Sequence, residues 1–205
     1  MKFFLNCLLF LFGFYLHAQN IDIRVLENIN MNRSRDFDPT FQFFSNSVNT
    51  VTIATPLIVY SAGLIGKNID IKRKGIVMVE SIIVSTVVSK SMKYIINRER
   101  PFVTYPYLEK RSDGGSPSFP SGHTEAAFAT ATSLSLAFPK WYVIVPSYIY
   151  AGSVGYSRMH LGVHYPSDVL AGALVGTVSS YITYRANKWL QGRKKNHIFN
   201  PVFEK

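Results

Sequence analysis

Residues 120–138 read PSGHTEAAFATATSLSLAF. Pro120 to Gly122 has turn chemistry, and the fifteen residues from Thr124 to Phe138 then run without Gly or Pro. The run does not alternate like a half-buried strand along its length, and it has the length of a helix. Four further apolar runs of 14 to 17 residues surround it: Thr50–Gly66, Ile76–Met92, Tyr142–Gly155 and Val169–Tyr184. None alternates throughout. The pattern predicts an all-α helical bundle with five or six membrane-embedded helices.

Each run is shorter than the roughly 20 residues that a bilayer core needs. Flanking Tyr, Trp, Ser and Thr extend them. The Ala-, Ser- and Thr-rich run from Thr124 suits a buried helix of a soluble bundle equally well. Glu80 lies inside one run, and a carboxylate in lipid needs a polar partner. Hydropathy alone leaves both settings open.

The chain has 205 residues, the size of one domain. At 47% hydrophobic it is not disordered, and 17% charged is below the roughly 25% of a soluble domain. One cysteine, Cys7, excludes an internal disulfide framework and a multi-cysteine metal cluster. The net charge of +10 has three ordinary readings: nucleic acid, an anionic membrane, or a phosphate-bearing substrate. Lys2 followed by the apolar stretch Phe3–Leu16 and then Ala18 reads as a signal peptide or N-terminal anchor over residues 1–18. Residues 19–48 form an amphipathic segment, 49–187 the helical core, and 188–205 a basic tail.

Three clusters of polar residues stand out. Lys93 and Arg100 are seven apart, with Pro101 next, a spacing that puts two cations on one helix face. Ser121, Gly122 and His123 open the helix of the quoted stretch, where free N–H groups and the dipole favour an anion. Arg158 precedes His164, and Asp168 lies four beyond it, within reach of the imidazole. A carboxylate on one ring nitrogen fixes the tautomer and makes the other nitrogen a better nucleophile. Three cations, a donor-rich helix start and two histidines are equipment for phosphoryl transfer, with no cofactor or metal required. His160 and His164 form an i, i+4 pair, but Gly162 between them and the lack of a third ligand argue against metal. His17 and His197 fall in the leader and the tail, and Arg98 has no special spacing.

Lys93, Arg100 and Pro101, then Pro120 to His123, then Ser157, Arg158, His164 and Asp168 make eleven positions in order. Their spacing resembles the three-part signature of the type 2 phosphatidic acid phosphatase and vanadium haloperoxidase superfamily. The resemblance implies an all-helical core with the active site at one end. It implies that His164 attacks phosphorus, that Asp168 orients His164, and that His123 protonates the leaving oxygen. Lys93, Arg100, Arg158, Ser121 and Gly122 would hold the phosphate. The family's haloperoxidases are much longer chains, so a phosphatase is the expected activity. Two branches remain: membrane lipid phosphatases and soluble periplasmic acid phosphatases.

Charge placement favours the first. With Lys2 inside, the loop carrying Lys67, Lys72, Arg73 and Lys74, the turn at Lys140 and the tail from Arg185 all fall inside. All three motifs fall outside, and the inside cations obey the positive-inside rule. The expectation is a multi-pass protein of the bacterial inner membrane with its active site facing the periplasm. Its partners are a phosphorylated lipid and the membrane, not nucleic acid.

Overall fold

The computed structural model describes the backbone of residues 21–199 and the side chains of 21–191. The leader over 1–18, with Cys7 and His17, and the side chain of His197 lie outside the described residues. Among the described residues there are helices and no strands. Helix α1 covers residues 21–31, α2 Asp38–Ile65, α3 Ile69–Ile96, α4 Pro101–Thr104, α5 Gly122–Ala137, α6 Trp141–His160 and α7 Pro166–Phe199.

The five long helices are the five expected runs, extended at most ends. Helix α2 starts at Asp38 with Pro39 in its first turn, so it runs unbroken across the expected 48/49 boundary. Helix α3 begins where Asn68 accepts the Asp70 and Ile71 N–H groups, a side-chain N-cap. It ends at Asn97, whose φ of 46° is the left-handed cap conformation that asparagine tolerates. Helix α7 continues through Phe199, so much of the expected tail is helical.

The bundle is small and polar inside and apolar outside. Ser81, Ser85 and Ser89 of α3, Thr124, Thr130 and Ser133 of α5, and Ser180 of α7 are buried. Ile53, Leu57 and Ile58 of α2, Ile83 and Val87 of α3, Ile149 of α6 and Leu174 of α7 face outward. Small residues let helix backbones approach closely, the packing mode used where lipid, not water, surrounds the bundle. Gly172 and Gly176 show the need. A Cβ at either would meet the Ser121 or Glu125 carbonyl, so α5 and α7 pack backbone to backbone. Glu80 has its polar partner: Asn187 Nδ2 donates to Glu80 Oε2 at 2.6 Å across α3 and α7. Two stretches, Arg35–Ile65 and Ile69–Thr104, are long and apolar enough to cross a membrane.

Helix α1 and the loop after α4 close one end. Leu26, Leu108 and Tyr165 form a small apolar cluster there. Buried Asn30 donates to the Glu109 and His160 carbonyls at 3.1 and 3.0 Å and accepts the Glu109 N–H. Gly162 sits at φ +72°, and a Cβ there would run into the Glu109 carbonyl. The loop therefore lies directly on the α6–α7 turn that carries His164.

Candidate active site

The three motifs meet at this closed end. Lys93 comes from the last turn of α3, Ser121 to His123 from the start of α5, Arg158 from the last turn of α6, and Asp168 from the first turn of α7. His164 lies in the turn between α6 and α7.

The seven-residue spacing of Lys93 and Arg100 places them differently from expectation. Arg100 is not on the face of α3. The helix stops at Ile96, and Arg100 is the extended N-cap of α4, with φ −78° and ψ 151°. Asn97 turns the chain out of the helix, and the residue before Pro101 is biased to extended backbone. The guanidinium still reaches the site: Arg100 Nη1 donates to the Val163 carbonyl at 2.9 Å and lies 3.3 Å from His164 Nε2.

His164 is completely buried in protein and is held from both sides. Its Nδ1 faces Asp168 Oδ2 at 3.3 Å. Arginine is a donor only, so the nitrogen facing Arg100 is the unprotonated one, and Nδ1–H points to the carboxylate. Burial pushes the imidazole from its ordinary 6.5 to about 3; Asp168 raises it, while Arg100 and Arg158 lower it. The ring is thus a neutral base with a free lone pair on Nε2.

The other cations converge on the same space. Lys93 Nζ donates to the Pro117 carbonyl at 2.7 Å, and Arg100 Nε to the Ser116 carbonyl at 2.8 Å. Arg158 is fully buried, reaching Ser45, Ser112 Oγ at 3.0 Å and the Asp113 carbonyl at 3.3 Å. Its Nε has no partner among the described residues. Loop carbonyls thus take donors of all three cations. Ser121 is buried, and its hydroxyl accepts from Thr124 Oγ1 at 2.9 Å. His123 is half-buried beside it and makes no hydrogen bond among the described residues. A cavity of about 320 Å³ is lined by Lys93 and Gly122 and extends between α2 and α3 past Thr52, Ile53, Ser89 and Glu125.

All eight residues expected at the site are brought to one end of the bundle. The family model described as the PAP2 superfamily matches residues 74–191, more than half of the chain. The chain belongs to the PAP2 superfamily.

Among curated proteins, the chain is 37% identical over 116 residues to an undecaprenyl-diphosphatase of Sulfolobus acidocaldarius, covering 55% of this chain and 54% of that one. It is 33% identical over 88 residues to a lipid A 4'-phosphatase of Bacteroides thetaiotaomicron, covering 43% and 39%. The chain thus spans about half the length or less of these two relatives. Among solved structures it resembles Aquifex aeolicus LpxE with a TM-score of 0.70 at 28% identity, over 80% of this chain and 95% of that one. It shares its fold with a transmembrane PAP2-type phosphatidylglycerolphosphate phosphatase from Bacillus subtilis, TM-score 0.71 at 23% identity, over 88% and 94%.

Sequence reasoning missed four supports of this PAP2 site. Arg98, read as an ordinary basic residue, binds Asp168 Oδ1 at 2.9 Å and Asp22 Oδ2 at 2.7 Å, and stacks on the Tyr165 ring at 3.8 Å. Burial opposes its charge, but Asp168 and Asp22 outweigh burial and raise its pKa. Ser118 donates to Asp168 Oδ2 and lies 3.4 Å from His164 Nδ1. Asp22 also accepts the Ser167 N–H at 2.8 Å. Asn30 holds the loop against α6. Only the Arg98-Glu99-Arg100 charge cluster beside the motif offered a signal for any of them. His160, the other half of the i, i+4 pair, points elsewhere: Nε2 meets Asp38 Oδ1 at 2.8 Å and the ring packs on Phe41 at 4.3 Å.

Proposed function

We propose that this protein is a metal-independent membrane phosphatase that hydrolyses a phosphomonoester or diphosphate of a lipid through a phosphohistidine. The observation that carries the proposal is the His164–Asp168 pair with its free Nε2 beside Arg100, at the end of the bundle where Lys93, Arg158 and His123 converge.

In the first step His164 Nε2 attacks phosphorus and an N–P bond forms. The bond from phosphorus to the leaving oxygen breaks, and His123, protonated once the substrate's negative charge offsets Arg158, Arg100 and Lys93, gives that oxygen its proton. Asp168 takes the growing positive charge of the imidazole through Nδ1–H. Lys93, Arg100, Arg158, Ser121 and the Gly122 N–H hold the equatorial oxygens, displacing the loop carbonyls that now occupy the cations. Water then attacks the phosphohistidine, His123 accepts its proton, and the N–P bond breaks. The cavity between α2 and α3 provides room for the leaving group.

Similarity to an undecaprenyl-diphosphatase and a lipid A phosphatase supports a lipid substrate. The apolar outer surface and the polar interior support a multi-pass protein. Ion pairing supports the orientation. At the active-site end Arg33, Arg35, Arg98 and Arg111 pair with Asp22, Asp38, Asp168 or Glu109. At the other end Lys67, Arg73, Lys140 and Lys188 have no carboxylate partner among the described residues. Net positive charge therefore gathers at one end, as the positive-inside rule requires. This supports an active site on the periplasmic face of a bacterial inner membrane, with residues 1–18 as signal or anchor.

Phosphate release from lipid monophosphates and polyprenyl diphosphates, with and without a strong chelator, tests the proposal. Activity unaffected by chelator and blocked by vanadate is expected. Activity restored only by a divalent ion contradicts it.

A further inference from the structure

A cavity of about 420 Å³ lies at the opposite end of the bundle, where α3 begins and α5 and α7 near their ends. Arg73 and Lys74 of α3 and Lys188, Tyr184 and Gln191 of α7 line it, with Val77 on the apolar side. Lys74 and Lys93 are nineteen residues apart on α3, about 28 Å along the axis at 1.5 Å per residue. The cavity is therefore separate from the phosphatase centre.

Its cations outnumber its carboxylates three to one among the described lining residues. Arg73 and Lys188 have no carboxylate partner among the described residues, and Lys74 Nζ sits 4.5 Å over the Phe138 ring. Asp70 also lies on the wall, but it belongs to the first turn of α3 and makes no ion pair among the described residues. Like charges gather around one cavity at some electrostatic cost unless an anion joins them. A guanidinium, two ammonium groups, a phenol and an amide are donors suited to phosphate oxygens. Trp141, Tyr142 and Trp189 are exposed near this end, the residues that sit at a membrane–water interface. The apolar side lets an acyl chain leave toward lipid while its headgroup stays among the cations.

We propose that this cavity is a second phosphate site that takes a phosphodiester anion, either the headgroup of an anionic membrane lipid or the same group free in solution. Such a site would bind lipid without hydrolysing it, because no histidine is among the described residues that line it.

Thermal unfolding of the full chain in zwitterionic bicelles tests the proposal, with the active site saturated by vanadate in every sample. Phosphatidylglycerol is added in one arm and glycerophosphoglycerol, the same headgroup without acyl chains, in another. Extra phosphatidylcholine is the control. We expect phosphatidylglycerol to raise the Tm by about 5 °C, the size of a ligand effect at saturation. The rise should vanish in Arg73→Gln/Lys74→Gln/Lys188→Gln, which should retain phosphatase activity. If that variant does not fold, Arg73→Gln and Lys188→Gln alone should each shift the lipid concentration needed. An equal rise with glycerophosphoglycerol assigns the site to a soluble phosphodiester; a rise with the lipid alone assigns it to the headgroup. No rise in the wild type, or a rise that survives the substitutions, overturns the proposal.

Discussion

Asp168 is shared by two residues that grip its two oxygens: Arg98 donates to Oδ1 at 2.9 Å, and His164 Nδ1 faces Oδ2 at 3.3 Å. The Ser118 hydroxyl and the Tyr165 N–H also donate to Oδ2, the latter at 3.0 Å. The carboxylate can therefore hold the imidazole only in one orientation. In the proposed mechanism Arg98 is a positioning residue, behind the carboxylate.

Arg98→Ala should lower kcat by about 10- to 100-fold, the usual worth of such an outer support, with KM little changed. Arg98→Lys should recover part of the loss. Steady-state kinetics on one lipid phosphate decide this, and a change confined to KM would place Arg98 on the substrate instead.

The low pKa of His164 has a consequence for stability. The unfolded imidazole takes a proton near 6.5 and the folded one near 3. This contribution to stability is complete above 6.5 and is lost progressively as pH falls toward 3, because the unfolded state binds the extra proton. The Tm of the wild type should therefore drop more steeply between pH 7 and pH 5 than that of His164→Gln. Parallel curves for the two proteins would count against a neutral buried His164.

The motifs were legible because their spacing survives any detail of the fold. His164 and Asp168 are one helical turn apart, and the α6–α7 turn needs only Gly162 and Pro166 to place them. The bundle was legible because the apolar runs are helix-sized. Not all of their ends were, since α7 continues through Arg185 and Lys188, neither of which belongs to an apolar run. Arg100 was misplaced because the left-handed Asn97 interrupts a helix that its seven-residue spacing implied. Asp22 and Asn30 were invisible because their partners lie far along the chain, 145 residues away in the case of Asp22 and Ser167.

Asn187→Leu should destabilise the protein by about 1–3 kcal/mol, the range for losing a hydrogen bond to a part-buried carboxylate. It removes the donor to Glu80 between α3 and α7. Adding Glu80→Leu should restore most of the loss, and thermal unfolding in detergent measures both. If the double variant is no more stable than Asn187→Leu, the Glu80 contact is not what Asn187 supplies.

Orientation is tested with single cysteines after Cys7→Ser. Lys110→Cys, on the loop over the active site, should react with an impermeant thiol reagent in intact spheroplasts. Lys140→Cys, in the α5–α6 turn, should react only after lysis. The reverse pattern would put the active site inside the cell, and recovery of the protein in the soluble periplasmic fraction would remove the membrane reading altogether.

The phosphohistidine is the central claim, and trapping it is the most direct measurement. His123→Ala should slow turnover by about 10² to 10⁴, the worth of a general acid–base, and should slow hydrolysis of the intermediate as well. Incubated with a ³²P-labelled aryl phosphate, whose leaving group needs no acid, and quenched in alkali, this variant should carry acid-labile label on the peptide containing His164. His123→Ala/His164→Ala should carry none. Label on another residue, or full turnover by His164→Ala with no labelled protein, would contradict the account.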